Sequence, residues 1–193
     1  MTQRNELVSC VKDLYAAGLT TSVSGNHSIR YEDWMWITPS GIPRYLMRSS
    51  DLVRVNVSTG RAVGKGKPSM EVGMHRNIYL ASPNINAVIH THSPYTIAVS
   101  ISSEFKHVIE EAKIVVGMPA IIQNAPSGSD KLANAVAEAF SQGYRAVIVK
   151  NHGVVVGGVD IHKARAIVES LEEWSKIMTL TKIFGGSCEF LDD

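Results

Sequence analysis

Residues 146–156 read Ala-Val-Ile-Val-Lys-Asn-His-Gly-Val-Val-Val. Two runs rich in β-branched side chains, Ala146 to Lys150 and Val154 to Val156, flank Asn151-His152-Gly153 and read as strands. A parallel pair needs a crossover of about a dozen residues or more, so this tight link predicts an antiparallel pair. Ser28 to Tyr31 and Trp34 to Thr38 close in the same way around Glu32-Asp33. Leu52 to Val57 is a further strand, ended by Ser58-Thr59-Gly60, and Ala87 to His90 is a short apolar run entering Thr91-His92-Ser93-Pro94. Ile114 to Val116 and Ala120 to Ile122 are strand-like. Short links between strands argue against a purely doubly wound parallel sheet, and no glycine fingerprint of the nucleotide-binding kind is present.

Helical spacing fills the remainder. Leu7, Val11 and Leu14 mark a first helix closed by Gly18, Glu71 to Ala81 carries Val72, His75 and Tyr79 on one side, and Tyr95 to Ser102 follows a proline. Asp130 to Phe140 is helical, and Ala164, Ile167, Leu171, Trp174, Met178 and Thr181 recur along a long C-terminal helix. No linker, repeat or low-complexity segment interrupts the pattern. The expectation is one mixed α/β domain over residues 1–193.

Composition narrows the function class. The chain has 193 residues, 45% hydrophobic and 19% charged, which supplies a sizeable core and rules out intrinsic disorder. Lys plus Arg total 19 against 18 for Asp plus Glu, so there is no basic excess for nucleic acid. No apolar run reaches the ~18 residues that cross a bilayer, and Met1 to Glu6 lacks the apolar block of a signal peptide. Cys10 and Cys188 stand in no metal or redox spacing and read as reduced thiols. A soluble cytoplasmic protein is expected, and the low charged fraction suits burial against copies of itself.

Chemistry concentrates in five places. In His90-Thr91-His92, alternate strand residues point to one face roughly 7 Å apart, so two imidazoles can converge on one metal ion. Alone, such a pair is a weak signal. His152, beside Gly153, is either a packed, hydrogen-bonded histidine or the distant third imidazole that an open three-histidine site requires. Glu71 is either a carboxylate for that site or a solvated glutamate in the first turn of a helix. Ser24-Gly25-Asn26, Thr38-Pro39-Ser40-Gly41 and Pro68-Ser69 are hydroxyl- and glycine-rich turns, which present N–H and O–H donors to oxyanions such as phosphate.

Taken in order, Ser24-Gly25-Asn26, Thr38-Pro39-Ser40-Gly41, Pro68-Ser69-Met70-Glu71, His90-Thr91-His92-Ser93 and Asn151-His152-Gly153 resemble the class II aldolase/adducin family, near its L-fuculose-phosphate aldolases. The match runs over nearly the whole chain. The resemblance implies a three-layer α/β/α fold around a mainly antiparallel sheet, in a homotetramer with active sites between subunits. It implies zinc, or another divalent metal, held by His90, His92 and His152, with Glu71 as a metal ligand that can swing away to act as a base. It assigns Asn26, Ser40, Gly41 and Ser69 to the substrate phosphate. The implied reaction is cleavage of a ketose 1-phosphate; an L-fuculose 1-phosphate-like substrate would give dihydroxyacetone phosphate and lactaldehyde.

Two departures stand out. Met70 replaces a hydroxyl residue usual beside Ser69, and its thioether donates no hydrogen bond. Arg44 reads as an exposed cation or as a replacement phosphate contact. Between Thr96 and Ser129 there is neither Tyr nor Asp, the residues that family aldolases and epimerases lend to a neighbouring subunit. His107, Glu110 and Glu111 stand there instead, and Glu111 and His107 are the candidates for that acid. A glutamate in this region keeps open a dehydratase of the methylthioribulose 1-phosphate type, and a sugar-acid phosphate decarboxylase is a further alternative on the same scaffold. A non-enzymatic adducin-like interaction module is a remote one, since such relatives typically lose the metal ligands.

Overall fold

In the computed structural model, which describes residues 2–102, 104–186 and 191, the strands form one eight-stranded sheet. Its strands are β1 (Asn26–Tyr31), β2 (Trp34–Ile37), β3 (Val53–Asn56), β4 (Ala62–Val63), β5 (Ala87–Thr91), β6 (Ala120–Ile122), β7 (Ala146–Val149) and β8 (Gly153–Gly158). They lie in the order β4-β3-β2-β1-β5-β8-β7-β6. β6 pairs with β7 in parallel, and the other pairings among the described residues are antiparallel. The sheet is mixed and mostly antiparallel, as expected.

Helices cover both faces. Helices α1 (Gln3–Ala16), α3 (Pro94–Ser102), α4 (Glu110–Val115) and α6 (Ile161–Ile183) share one core with the sheet, and α2 (Val72–Ala81) and α5 (Asp130–Ser141) share the other. Side-chain parity divides the central strands between these cores. Ala87, Ile89, Ala146, Ile148, Val154 and Val156 face α6, whereas Val88, Val147, Val149 and Val155 face α2 and α5. Burial on both faces explains why β5, β7 and β8 read as continuous apolar runs. Side-chain caps start two helices: Ser129 accepts from the Leu132 N–H at 3.2 Å, and Asp160 from the Lys163 N–H at 2.7 Å.

The same parity aims the chemistry. His90 continues the Val88 face, and Asn26 and Ser28 of β1 stand opposite His90 and Val88. All three side chains therefore point towards α2.

Two details differ from the sequence reading. Ile114 to Val116 is not a strand, because residues 110–115 form α4. Ala112 and Val116 are buried while Ile114 is 67% exposed, a spacing of four that a helix satisfies and an alternating strand does not. β4 carries no apolar alternation to reveal it, being a short exposed edge. Cys10 is a free buried thiol, and Cys188 lies outside the described residues. Among the described residues no helix is long and apolar enough to cross a membrane.

Candidate active site

His90 is the penultimate residue of the fully buried β5, His92 follows the strand, and His152 sits in the turn between β7 and β8. The antiparallel pairing of β5 with β8 brings these distant stretches together. One ring nitrogen from each of the three histidines lies within 4.8 Å of the others. The ring centroids are 5.0, 5.0 and 5.3 Å apart, with the planes steeply inclined around a common point. His90 Nδ1 donates to the Val154 carbonyl at 2.9 Å, so its Nε2 is the nitrogen that faces the cluster, 3.2 Å from His92 Nε2.

Gly153 makes this approach possible by leaving space. A Cβ there would overlap the Thr91 carbonyl oxygen and stand 3.0 Å from His90 Cε1 and 3.2 Å from His92 Cδ2. The sharp backbone turn is taken by Asn151, at φ 60°.

Glu71 is not a solvated first-turn glutamate. It is buried at the N-terminus of α2, with Oε2 3.3 Å from His90 Nε2 and Oε1 3.7 Å from His152 Nε2. Asn26 Nδ2 donates to Oε2 at 3.0 Å. Burial alone would raise the carboxyl's pKa, but His90, Asn26 and His152 outweigh it and hold the pKa below the ordinary value. His90 is pushed down to about 4, chiefly by burial, and His92 is lowered for the same reason. Near pH 7 His90 is thus a neutral ligand rather than a cation, and burial favours the same form of His92. Glu71 Oε1 and His152 Nδ1 are buried and find no hydrogen-bond partner among the described residues. Three convergent imidazoles beside a carboxylate with an unbonded oxygen fit a divalent cation.

The hydroxyl-rich turns assemble beside this cluster. The Ser40 N–H donates to the Lys67 carbonyl at 3.0 Å, and Ser69 N–H to the Thr38 carbonyl at 3.2 Å. Thr38 Oγ1 accepts the His27 N–H at 3.1 Å, which ties the turn to β1 next to Asn26. Ser69 Oγ accepts the Glu71 N–H at 3.2 Å. Ser40 and Gly41 are exposed, Ser69 and Asn26 buried, and Ser40 Oγ donates to the Pro68 carbonyl at 3.0 Å.

Arg44 is neither exposed nor free to hold a phosphate. It is buried, and its guanidinium donates to the carbonyls of Val23, Ser24, Gly25 and Ile42 at 2.5–3.3 Å. The positive charge braces the Ser24-Gly25-Asn26 turn from behind.

His107 and Glu111 lie outside the histidine cluster. His107 is buried with its ring stacked on Trp174, and its carbonyl accepts the Leu191 N–H at 2.9 Å. Glu111 is exposed on α4 and accepts from Ser170 Oγ at 3.3 Å. Sequence reading missed the side chains behind Glu71. His75 Nε2 lies 2.6 Å from Asn26 Oδ1, and Ser28 Oγ lies 2.7 Å from both His75 Nδ1 and Tyr79 OH. The available signal was the spacing of Glu71, His75 and Tyr79, each four residues apart on one helix face.

Residues 5–179 match the model of the class II aldolase and adducin N-terminal domain. The chain belongs to this family and, with it, to the metal-dependent aldehyde-lyases. An L-fuculose phosphate aldolase of Methanococcus maripaludis is 36% identical over 173 residues, covering 89% of this chain and 93% of that protein. A 5-deoxy-D-ribulose 1-phosphate aldolase of Bacillus thuringiensis serovar kurstaki is 33% identical over 188 residues, or 95% of this chain and 87% of that one. Among solved structures, an L-fuculose 1-phosphate aldolase is similar with a TM-score of 0.88 at 32% identity, covering 99% of this chain and 91% of its own.

Proposed function

We propose that the chain is a zinc-dependent aldolase that cleaves a ketose 1-phosphate of the L-fuculose 1-phosphate type to dihydroxyacetone phosphate and lactaldehyde. The observation that carries this reading is the convergence of His90, His92 and His152 beside the buried Glu71 carboxylate. The three imidazoles hold the metal, with Glu71 as a further ligand while no substrate is present. When bound, the metal supplies a Lewis acid for the ketose carbonyl and for the charge left by carbon–carbon cleavage.

The chain's own residues do the rest. Asn26, Ser40, Gly41 and Ser69 hold the substrate phosphate in the joined turns. Glu71 moves the proton at the carbon that becomes nucleophilic, from a position beside both the imidazoles and the phosphate turn. An acid from a neighbouring copy assists at the aldehyde oxygen, and exposure favours Glu111 over His107 for that task. Residues 1–193 act as one catalytic domain of a cytoplasmic homotetramer.

Metal-loaded protein incubated with a panel of ketose 1-phosphates should release dihydroxyacetone phosphate, fastest from L-fuculose 1-phosphate. The 33% identical relative makes 5-deoxyribulose 1-phosphate the substrate to compare first. Faster turnover of that compound would reassign the substrate, and no release from any member would refute the aldolase reading.

A further inference from the structure

Behind Glu71 runs a single file of buried side chains that alternates between α2 and β1: Glu71, Asn26, His75, Ser28, Tyr79. The alternation has a geometric cause. Four helical residues advance roughly 6 Å and two strand residues roughly 7 Å, so each β1 side chain falls between two from α2. All five residues are less than a tenth exposed.

The hydrogen bonds have one consistent direction. The Glu71 carboxylate only accepts, so Asn26 turns its Nδ2 to Oε2 at 3.0 Å and leaves Oδ1 towards His75. That oxygen also only accepts, so His75 Nε2 carries the ring proton across the 2.6 Å contact. Burial, with His90 adding to it against the pull of Glu71, pushes the His75 pKa down to about 3, so the ring is neutral. Its bare Nδ1 takes the Ser28 hydroxyl at 2.7 Å, and Ser28 Oγ in turn accepts from Tyr79 at 2.7 Å. Burial pushes the Tyr79 phenol up, so it keeps its proton. Every donor points towards Glu71.

We propose that His75 is a positioning residue for Glu71, acting through Asn26 by dictating which end of the Asn26 amide faces the carboxylate. This rests on the reading of Glu71 as the group that handles the substrate proton. With a donor on its oxygen, Asn26 keeps an N–H on Glu71. Without that donor the amide is free to invert and set oxygen against oxygen.

Two measurements on the full chain test this. In the metal-free protein, nitrogen NMR of His75 should show a protonated Nε2 and a bare Nδ1, unchanged from about pH 8 to about pH 5. The Asn26 side-chain amide protons should exchange slowly with solvent, losing that protection in His75→Phe and keeping it in His75→Gln. A bare Nε2, or unchanged protection in His75→Phe, would overturn the proposal.

In the metal-loaded protein, His75→Phe should slow solvent deuterium entry into dihydroxyacetone phosphate by about 10- to 100-fold, with KM little changed. His75→Gln, which also presents a donor, should recover most of that rate. In a Glu71→Gln background, His75→Phe should cost nothing further. An equal cost in both backgrounds marks a merely structural role and refutes the proposal while leaving the aldolase reading intact. Absence of exchange in the unaltered protein refutes the aldolase reading, and the NMR results still decide the relay. Ser28→Ala, which unbinds Nδ1 with little change in volume, should slow exchange similarly and replaces His75→Phe if that variant does not fold.

Discussion

The ring of His90 is locked by the carbonyl of Val154, 2.9 Å from Nδ1. A strand residue on β8 thereby decides which nitrogen of a β5 residue is presented to the cluster. This gives the histidine triad a fixed inner edge, to which His92 and His152 add from less buried positions.

The outer member is the one to remove. His92→Ala should abolish stoichiometric metal and cleavage activity while the circular dichroism of a folded α/β protein persists. Elemental analysis showing full occupancy in that variant would refute the ligand set.

Glu71→Gln keeps the three imidazoles and the amide geometry but loses the base. Metal content should be largely retained. Deuterium exchange into dihydroxyacetone phosphate, which needs no aldehyde, should fall by about 10²–10⁴. Near-normal exchange would place the base elsewhere.

Arg44→Met leaves the carbonyls of Val23, Ser24 and Gly25 without their donor. A loss of about 1–3 kcal/mol is expected in urea unfolding, together with weaker binding of inorganic phosphate. Unchanged phosphate affinity would show that the brace does not shape that turn.

Acid should weaken the metal-free fold. His75 takes its proton at 6.5 when unfolded but only at about 3 when buried. Between these values the unfolded state binds more protons, so stability falls as pH falls, by up to about 1.4 kcal/mol per pH unit. His27 is buried and lowered in the same sense, mainly by desolvation and then by Arg44. Urea midpoints at about pH 7 and about pH 5 should therefore differ less in His75→Gln than in the unaltered protein.

Light scattering at micromolar protein should report a tetramer. An active monomer would contradict the proposed sharing of sites between copies.

Much of this fold was legible because its strands sit close together in sequence. The links at Glu32-Asp33 and Asn151-His152-Gly153 are too short for crossovers, and α6 repeats its apolar residues over its whole length. Ile114 misled because an apolar triplet has no period of its own, and only packing showed Ala112 and Val116 inward. In the candidate site, the histidines, Glu71 and the turns carry recognisable local patterns. Arg44 does not, and His75 shows only its helical spacing from Glu71 and Tyr79, which marks a shared face but no role. Their partners lie on other elements, and a polar residue read singly gives no sign that it is buried and satisfied.

The pairing of β5 with β8 also sets a timetable. His90 and the Val154 carbonyl that orients it are 64 positions apart. At about 5–20 residues per second, a ribosome releases the second stretch roughly 3–13 s after the first. Until β8 docks, the nascent chain offers an ion only a loose pair of imidazoles. Metal capture therefore waits until β8 has been made and docked, and it favours only chains that have closed that part of the sheet.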